Sequence, residues 1–300
     1  MQKYFWLIIL ISVALGLIWP APAIPLKPYL SYLLMLMMFF TCLKIEIRGI
    51  NHISGNIFKY IFVLMMVFIV PTLIVFLFKN TVSKDIFIGL LVTAAVPSGI
   101  SVIYVSDLLK GEPIKALTIT TLAHLISPIV TPALVWFFAR QSIDVSFWDM
   151  MIVIIKLIVI PLALAGIFRA FKWHNFLAEK STVVNMLLTV ILVWGLIAPV
   201  QELIFGNLEQ IVMPLVISVS ILSVGIVLSV ISGSTKQERI TWIITNIMRN
   251  YTLASVIVLE MFGPVALLGS VIYMLIGHLV LIPLQFIFSD RTHRVQHVQR

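Results

Sequence analysis

Charged residues are scarce in this sequence, and cysteine is almost absent. Only 11% of the 300 residues are Asp, Glu, Lys or Arg, while 61% are apolar; soluble globular proteins have about 25% charged residues. The single cysteine, Cys42, excludes an internal disulfide framework, a four-cysteine zinc site and an iron–sulfur cluster. No His-Glu-x-x-His, Gly-x-Ser-x-Gly or phosphate-binding glycine motif is present. These absences exclude a cytosolic domain and leave no recognisable catalytic motif.

Apolar runs long enough to cross a bilayer recur along the whole chain, and the mean hydropathy is +1.13. Ten spans are predicted, and no connection between them exceeds about fourteen residues. They cover approximately residues 4–19, 30–43, 58–78, 86–109, 115–138, 148–171, 182–199, 208–231, 240–262 and 265–288. The sequence therefore predicts an all-α polytopic membrane protein whose residues 1–300 form a single domain embedded in lipid.

The basic residues are unequally distributed between the two ends of these spans. Only Lys27, Lys79, Lys84 and Arg140 lie on one side, whereas fourteen lie on the side that holds Met1. The positive-inside rule then places both termini in the cytoplasm, in a plasma or bacterial inner membrane. The net charge of +8 is interpreted as topological, with no nucleic-acid partner, and residues 289–300 as a short basic cytoplasmic tail on anionic lipid.

Ten spans divide into two halves of five, about residues 4–138 and 148–288, which must be inserted in opposite orientations because five is odd. Inverted repeats of this kind build secondary transporters. Pro97, Ser98 and Gly99 interrupt the fourth span, and the polar stretch 245–252 interrupts the ninth. Proline cannot continue a helix, and freed backbone groups in a membrane require protein or a cavity. The alternative is a simple kink in a packed helix.

Several motifs together resemble the bile acid:sodium symporter family. Those that carry the resemblance are Pro97-Ser98-Gly99, Lys110-Gly111, Ser127-Pro128-Ile129-Val130-Thr131-Pro132, the second-span stretch 36–43, Met248-Arg249-Asn250-Tyr251-Thr252-Leu253-Ala254, and Phe262-Gly263-Pro264. The resemblance implies a panel of spans one, two, six and seven, and a core of the other six, with spans four and nine broken and crossing. It also implies a secondary active transporter of a small organic anion, carboxylate or sterol-acid-like, that works by alternating access.

Departures from the family pattern concern the sodium ion that the resemblance implies. Val102 and Ile103 occupy the positions of the family's Ser-Asn, and Arg249 replaces its Gln. Hydrocarbon side chains offer no oxygen ligand, and a guanidinium repels a cation. Thr120 and Asn250 keep the family's residues. The sequence therefore argues against sodium coupling and predicts no metal site or other cofactor; a proton-coupled carrier or a uniporter of the same fold is the alternative.

Arg249 is the strongest candidate site residue, because an arginine at the bilayer centre costs about 2.5–3.5 kcal/mol and normally faces a cavity or a partner. Three roles are open. It can replace the sodium ion and donate to exposed backbone carbonyls. It can bind a substrate carboxylate through two hydrogen bonds. It can also be purely structural, paired with a buried acid such as Asp107.

The remaining ionisable residues within the spans also have alternative roles. Lys156 either extends to the outer surface or lines the cleft between panel and core. His124 and His278 are proton relays or neutral packing groups. The full candidate site comprises Pro97, Ser98, Gly99, Thr120, His124, Lys156, Thr245, Asn246, Arg249, Asn250 and His278. An intramembrane enzyme or a channel is disfavoured, since catalytic groups are not paired at one depth and no ring of like charges is evident. The sequence does not indicate an oligomeric state.

Overall fold

A computed structural model describes residues 5–43, 57–171, 174–206 and 208–289, and these residues are almost entirely helical. The helices are α1 (Phe5–Ile18), α2 (Leu30–Cys42), α3 (Ile57–Leu77), α4 (Lys84–Ala95), α5 (Ser101–Leu108), α6 (Pro113–Ala139), α7 (Phe147–Ile154), α8 (Ile160–Ala170), α9 (His174–Ile197), α10 (Gln201–Gly206), α11 (Glu209–Ser232), α12 (Lys236–Ile247), α13 (Tyr251–Phe262) and α14 (Pro264–Ser289). A 3₁₀ segment, Ile24–Tyr29, precedes α2, and a π-helical turn, Ile155–Val159, joins α7 to α8.

Seven helical stretches of the described chain are long and apolar enough to cross a membrane. The all-helical, multi-pass class predicted from the sequence is therefore confirmed. The other three predicted spans correspond to α1, which has only 14 residues, and to the interrupted pairs α4–α5 and α12–α13. The seventh span begins earlier than expected, at His174, and the short helix α10 follows it. Seven of the basic residues used for the orientation, and the predicted tail from residue 290 onwards, lie outside the described residues.

The helices form two packed groups. In one, α2 contacts α8 and α9, and α9 contacts α1; in the other, α4 and α14 contact each other and their neighbours α3, α6, α11 and α13. The groups meet where α2 and α9 contact α13. Because α13 follows directly on the interruption of the ninth span, this interface places the interruption beside both groups.

Small residues hold α4 against α14. A Cβ atom added to Gly89 would lie 1.9 Å from the carbonyl oxygen of Ala266, so these backbones touch, as small residues allow in membrane helices. Below this contact the Thr93 hydroxyl donates to Ser270 Oγ at 2.8 Å, and Ser270 Oγ lies 2.8 Å from Ser255 Oγ. This buried chain of hydroxyls links α4, α14 and α13.

A buried carboxylate joins the first turns of α3, α6 and α12. Glu238 accepts hydrogen bonds from Lys59 and from Lys115, the latter at 2.6 Å, and from the Ser234 N–H at 2.9 Å. Lys115 also pairs with Glu112 at 2.8 Å. Burial alone would raise the pKa of Glu238, but the hydrogen bonds from Lys115, Lys59 and Ser234 outweigh it and lower the pKa from 4.5 to about 2. Hydrogen bonds of this cluster therefore connect the first turns of α3, α6 and α12.

Replacing Glu238 by Gln should lower the free energy of unfolding by about 1–3 kcal/mol, the usual cost of losing hydrogen bonds to a buried charge. Because the fold depresses the pKa of Glu238, the wild-type contribution is complete above about pH 4.5 and is lost as the pH falls toward about 2. Melting temperatures in detergent, followed between about pH 7 and about pH 3, test both statements.

Glu112→Gln is the matched control, because Glu112 is half-buried and bonds the same lysine. Glu112→Gln should lower the free energy of unfolding by less than Glu238→Gln does. Equal melting temperatures for the wild type and Glu238→Gln at neutral pH would contradict a stabilising role for the cluster.

Candidate substrate site

The first interruption lies between α4 and α5 and contains Pro97. Proline disfavours the helical region for the residue before it, and Val96 has φ −77° and ψ 156°. The helix ends at Ala95 and resumes only at Ser101. The segment between them is extended and leaves backbone groups without helical partners.

The second interruption pairs with the first. Between α12 and α13 the chain is also non-helical, and the two segments run antiparallel: the Gly99 N–H donates to Met248 O at 2.8 Å and the Asn250 N–H donates to Pro97 O at 2.9 Å. A Cβ atom on Gly99 would lie only 3.2 Å from the carbonyl oxygen of Arg249, so glycine permits this approach. The two breaks therefore form one structure, in which each segment supplies hydrogen-bond partners for backbone N–H and carbonyl groups of the other.

Arg249 is buried inside this structure, with 3% of its surface exposed. Its Nη1 donates to the carbonyl oxygens of Val67, Ala94 and Val96, the last two at 3.3 Å. The carbonyls of Ala94 and Val96 close the carboxyl end of α4, where the helix dipole favours a cation. Asp107 is exposed near the end of α5, and no ion pair joins it to Arg249 within the described ranges. The guanidinium is thus bonded to backbone carbonyls of α3 and of the end of α4.

A cavity of about 250 Å³, here called the break cavity, lies beside the paired interruptions. Gly99, Ser101, Asn250 and Thr252 line it from the breaks, and α2 and α9 line it opposite. The amino ends of α5 and α13 both open toward this space. Free N–H groups and the helix dipole make such ends partly positive, which favours an anionic group.

The opposite wall of the break cavity is neutral and polar. Asn185 Nδ2 donates to Thr41 Oγ1 at 3.0 Å, and the hydroxyl of Thr189 donates to the carbonyl of Asn185 at 2.7 Å. Asn185 Oδ1 is buried and has no hydrogen-bond partner among the described residues. Sequence reasoning missed these residues, although Asn185 and Thr189 stand one turn apart in an otherwise apolar span, which is a signal of a shared polar face.

The predicted site residues do not all meet in one place. Asn250, Gly99, Arg249 and His278 line the break cavity. Ser98, Thr120, Thr245 and Asn246 are not part of the cavity lining and form hydrogen bonds within the protein. The hydroxyl oxygens of Ser98 and Thr120 lie 3.5 Å apart, and the Thr245 hydroxyl donates to the backbone carbonyl of Thr241. The side-chain amide of Asn246 donates to Ser229 Oγ and to the backbone carbonyl of Trp242. This set supports the breaks and does not face the cavity.

His124 in α6 and His278 in α14 each bond a backbone carbonyl of their own helix. His124 Nδ1 bonds the carbonyl of Thr120 at 2.8 Å, and His278 Nδ1 bonds the carbonyl of Met274 at 2.7 Å. A carbonyl can only accept, so Nδ1 carries the proton in both rings.

Lys156 lies in a different cavity from Arg249. This larger space, about 430 Å³ and here called the lysine cavity, is lined by Lys27, Ser31, Lys156 and Glu260 together with apolar residues. Lys156 and Arg249 therefore line different cavities. The side chain of Lys156 is exposed and also forms part of the lining of the lysine cavity.

Three backbone carbonyl oxygens near the first break bond the guanidinium of Arg249. The carbonyls of Val67, Ala94 and Val96 already accept from a guanidinium, and Val102 contributes only a buried hydrocarbon side chain. No cluster of three or more His, Cys, Asp or Glu side chains suited to a metal occurs in the described part of the chain. A hard cation needs several oxygen ligands, and the three carbonyls bonded to Arg249 are already engaged by its guanidinium.

Comparison with known proteins decides the family. Residues 31–214 match the model of the Sodium Bile acid symporter family. The chain belongs to this family. It is therefore a multi-pass membrane transport protein with a small-molecule substrate, and the resemblance stated from its motifs is confirmed.

One curated relative has an informative name. "Uncharacterized sodium-dependent transporter YocS" of Bacillus subtilis (strain 168) is 24% identical to this chain over 226 residues, which is 74% of this chain and 69% of that protein. The family match ends at residue 214, before the second break, so it does not include Arg249.

Proposed function

We propose that this member of the family carries a small organic anion, a carboxylate or sterol-acid-like molecule, by alternating access and without sodium. The buried Arg249 side chain is the observation that carries the proposal. Its guanidinium donates to the carbonyl end of α4 at the crossing of the two breaks, which is where discontinuous transporter helices coordinate cations. A permanent, covalently attached cation makes a diffusible one redundant there and repels it.

The anionic nature of the cargo rests on the break cavity. The amino ends of α5 and α13 open into it, and half-helix amino ends in transporters point at anionic substrate groups. Asn185 Oδ1, which lacks a partner among the described residues, is an acceptor for a hydroxyl or N–H of the cargo. The cavity therefore combines a site for negative charge with a neutral polar wall.

Alternating access rests on the placement of the two cavities. Along α2, Ser31 and Met35 line the lysine cavity, whereas Met38 and Thr41 line the break cavity. Rocking of one helix group against the other would open one cavity and close the other. In this proposal ten spans form two oppositely inserted halves, and both termini face the cytoplasm. The helices α1, α2, α7, α8 and α9 belong to the panel.

In proteoliposomes, uptake of labelled cholate should keep the same rate within about twofold when sodium is replaced by potassium, because a coupled ion changes binding by about fivefold or more. Uptake is measured with inward sodium, potassium and proton gradients separately. A steep requirement for sodium would refute the role assigned to Arg249. A response to the proton gradient alone would favour a proton-coupled carrier over a uniporter.

A further inference from the structure

The lysine cavity carries more positive charge than its carboxylate can balance. Lys27 and Lys156 both line it, with Glu260 as the one acidic residue of its lining. Glu260 accepts a hydrogen bond from the Ser31 hydroxyl at 2.6 Å. Neither lysine forms an ion pair with any Asp or Glu in the described ranges. Lys27, Lys156 and Glu260 are all exposed, and two ammonium groups against one carboxylate give this lining a net charge of +1.

Both lysines lie on turns that are not α-helical. Lys27 is in the 3₁₀ segment Ile24–Tyr29, and Lys156 is the second residue of the π-helical turn, whose closing bond runs from the Ile160 N–H to the carbonyl of Ile155. Pro161 follows this turn and has no N–H for the carbonyl of Leu157, which accounts for the irregularity. Single π turns within helices are frequent at functional sites.

Lys156 interrupts an apolar stretch long enough to cross a membrane, Phe147–Ala170. A lysine in such a position is costly unless it faces a cavity or a partner, and it usually marks a substrate or ion pathway. The cavity supplies the first condition. Among the described residues, no Asp or Glu forms an ion pair with the ammonium group of Lys156.

The rest of the lining is apolar and sets the shape of the ligand. It consists of Leu30, Met35, Val153, Leu157, Val256 and Leu259, with Tyr32 and Pro28 at the edge. A volume of about 430 Å³ falls in the range of small-molecule sites. A ligand that satisfies both the ammonium groups and these walls has one anionic group and an apolar body.

We propose that the lysine cavity is a second binding site, distinct from the break cavity, in which Lys27 and Lys156 together hold the anionic group of an amphipathic organic anion. The site rests on the proposed function, because its ligand is the cargo before transfer to the break cavity. Since α2 and α13 line both cavities, a ligand in the lysine cavity lies at the same interface as the transport site.

The test uses the full chain in lipid nanodiscs and follows acetylation of single lysines by an N-hydroxysuccinimide ester with peptide mass spectrometry. Cholate should protect Lys27 and Lys156 at the same concentration, and its neutral methyl ester should not. If both lysines hold one ligand, protection of Lys156 in Lys27→Met should require about tenfold more cholate, as expected for losing one hydrogen bond from a charged group. Protection of Lys27 in Lys156→Met should weaken equally.

Lys84→Met is the matched control, because Lys84 begins α4 and lies outside the lining of this cavity; it should leave both protections unchanged. Absence of protection by cholate, or equal protection by the methyl ester, would overturn the proposal. Protection by phosphatidylglycerol in the nanodisc that cholate does not displace would assign the site to a lipid headgroup and would also overturn it.

Uptake assays separate this proposal from the proposed function. Lys27→Met and Lys156→Met should each raise the KM for cholate about tenfold, the same loss of one charged hydrogen bond, and leave its sodium independence intact. If both lysine variants keep the wild-type KM and uptake stays independent of sodium, the second binding site is refuted and the proposed function is not. A sodium requirement together with lysine-dependent protection would remove the sodium-free mechanism alone.

Discussion

Replacing Arg249 by Gln should reduce uptake of labelled cholate by about a hundredfold, corresponding to about 3 kcal/mol of lost stabilisation. The shorter, neutral side chain cannot reach the carbonyls of Val67, Ala94 and Val96 together. The buried carbonyls at the end of α4 then lose their donor, and each unsatisfied group costs about 1–3 kcal/mol. Proteoliposome uptake under sodium-free conditions measures the effect.

Two further variants separate the charge of Arg249 from its shape. Arg249→Lys keeps the charge but cannot bridge several acceptors with a planar fork, so its uptake should be intermediate. Arg239→Gln makes the same exchange on α12 at an exposed arginine that bonds the Gly233 carbonyl, away from the breaks; its uptake should match the wild type. If Arg249→Gln transports normally and melts normally, Arg249 belongs to the scaffold and the sodium-free mechanism loses its support.

Replacing Gly89 by Ala should lower the free energy of unfolding by about 2–3 kcal/mol, at the upper end of the cost of overpacking. The added methyl group would meet the Ala266 carbonyl oxygen at 1.9 Å and its carbon at 2.9 Å. These are backbone atoms, so no rotamer change can relieve the contact and α4 must move away from α14. The separation would also stretch the bond between Thr93 and Ser270.

Melting temperatures in detergent measure this change, and Gly166→Ala serves as its matched control. Gly166 is also helical, but an added Cβ atom there meets nothing within 4 Å. Alanine should therefore leave the melting temperature unchanged or raise it slightly, because alanine is favoured over glycine in a helix by about 1 kcal/mol of free energy. Equal effects at the two glycines would show that the close approach of α4 and α14 does not determine stability.

Periodicity and composition were sufficient for the helices. Apolar runs located the spans to within a few residues in most cases. Pro97 indicated the first break, because proline has no N–H to donate and disfavours a helical residue before it. The second break has no proline. Polar residues indicated it, but its extended backbone is stabilised by pairing with Pro97 and Gly99, a contact across about 150 residues that no local pattern encodes.

The sequence by itself determined that this chain is an all-helical membrane protein, which family it resembles, and that an arginine lies within the ninth predicted span. Each of these depends on residue type and order alone. Only the tertiary structure decided what the polar residues do. In the structure, Arg249 bonds backbone carbonyls of α3 and α4. Lys156 and Lys27 line the lysine cavity, and Thr41 bonds Asn185. Such partners are set by how distant helices pack, since side chains far apart in the chain meet only after the fold has formed.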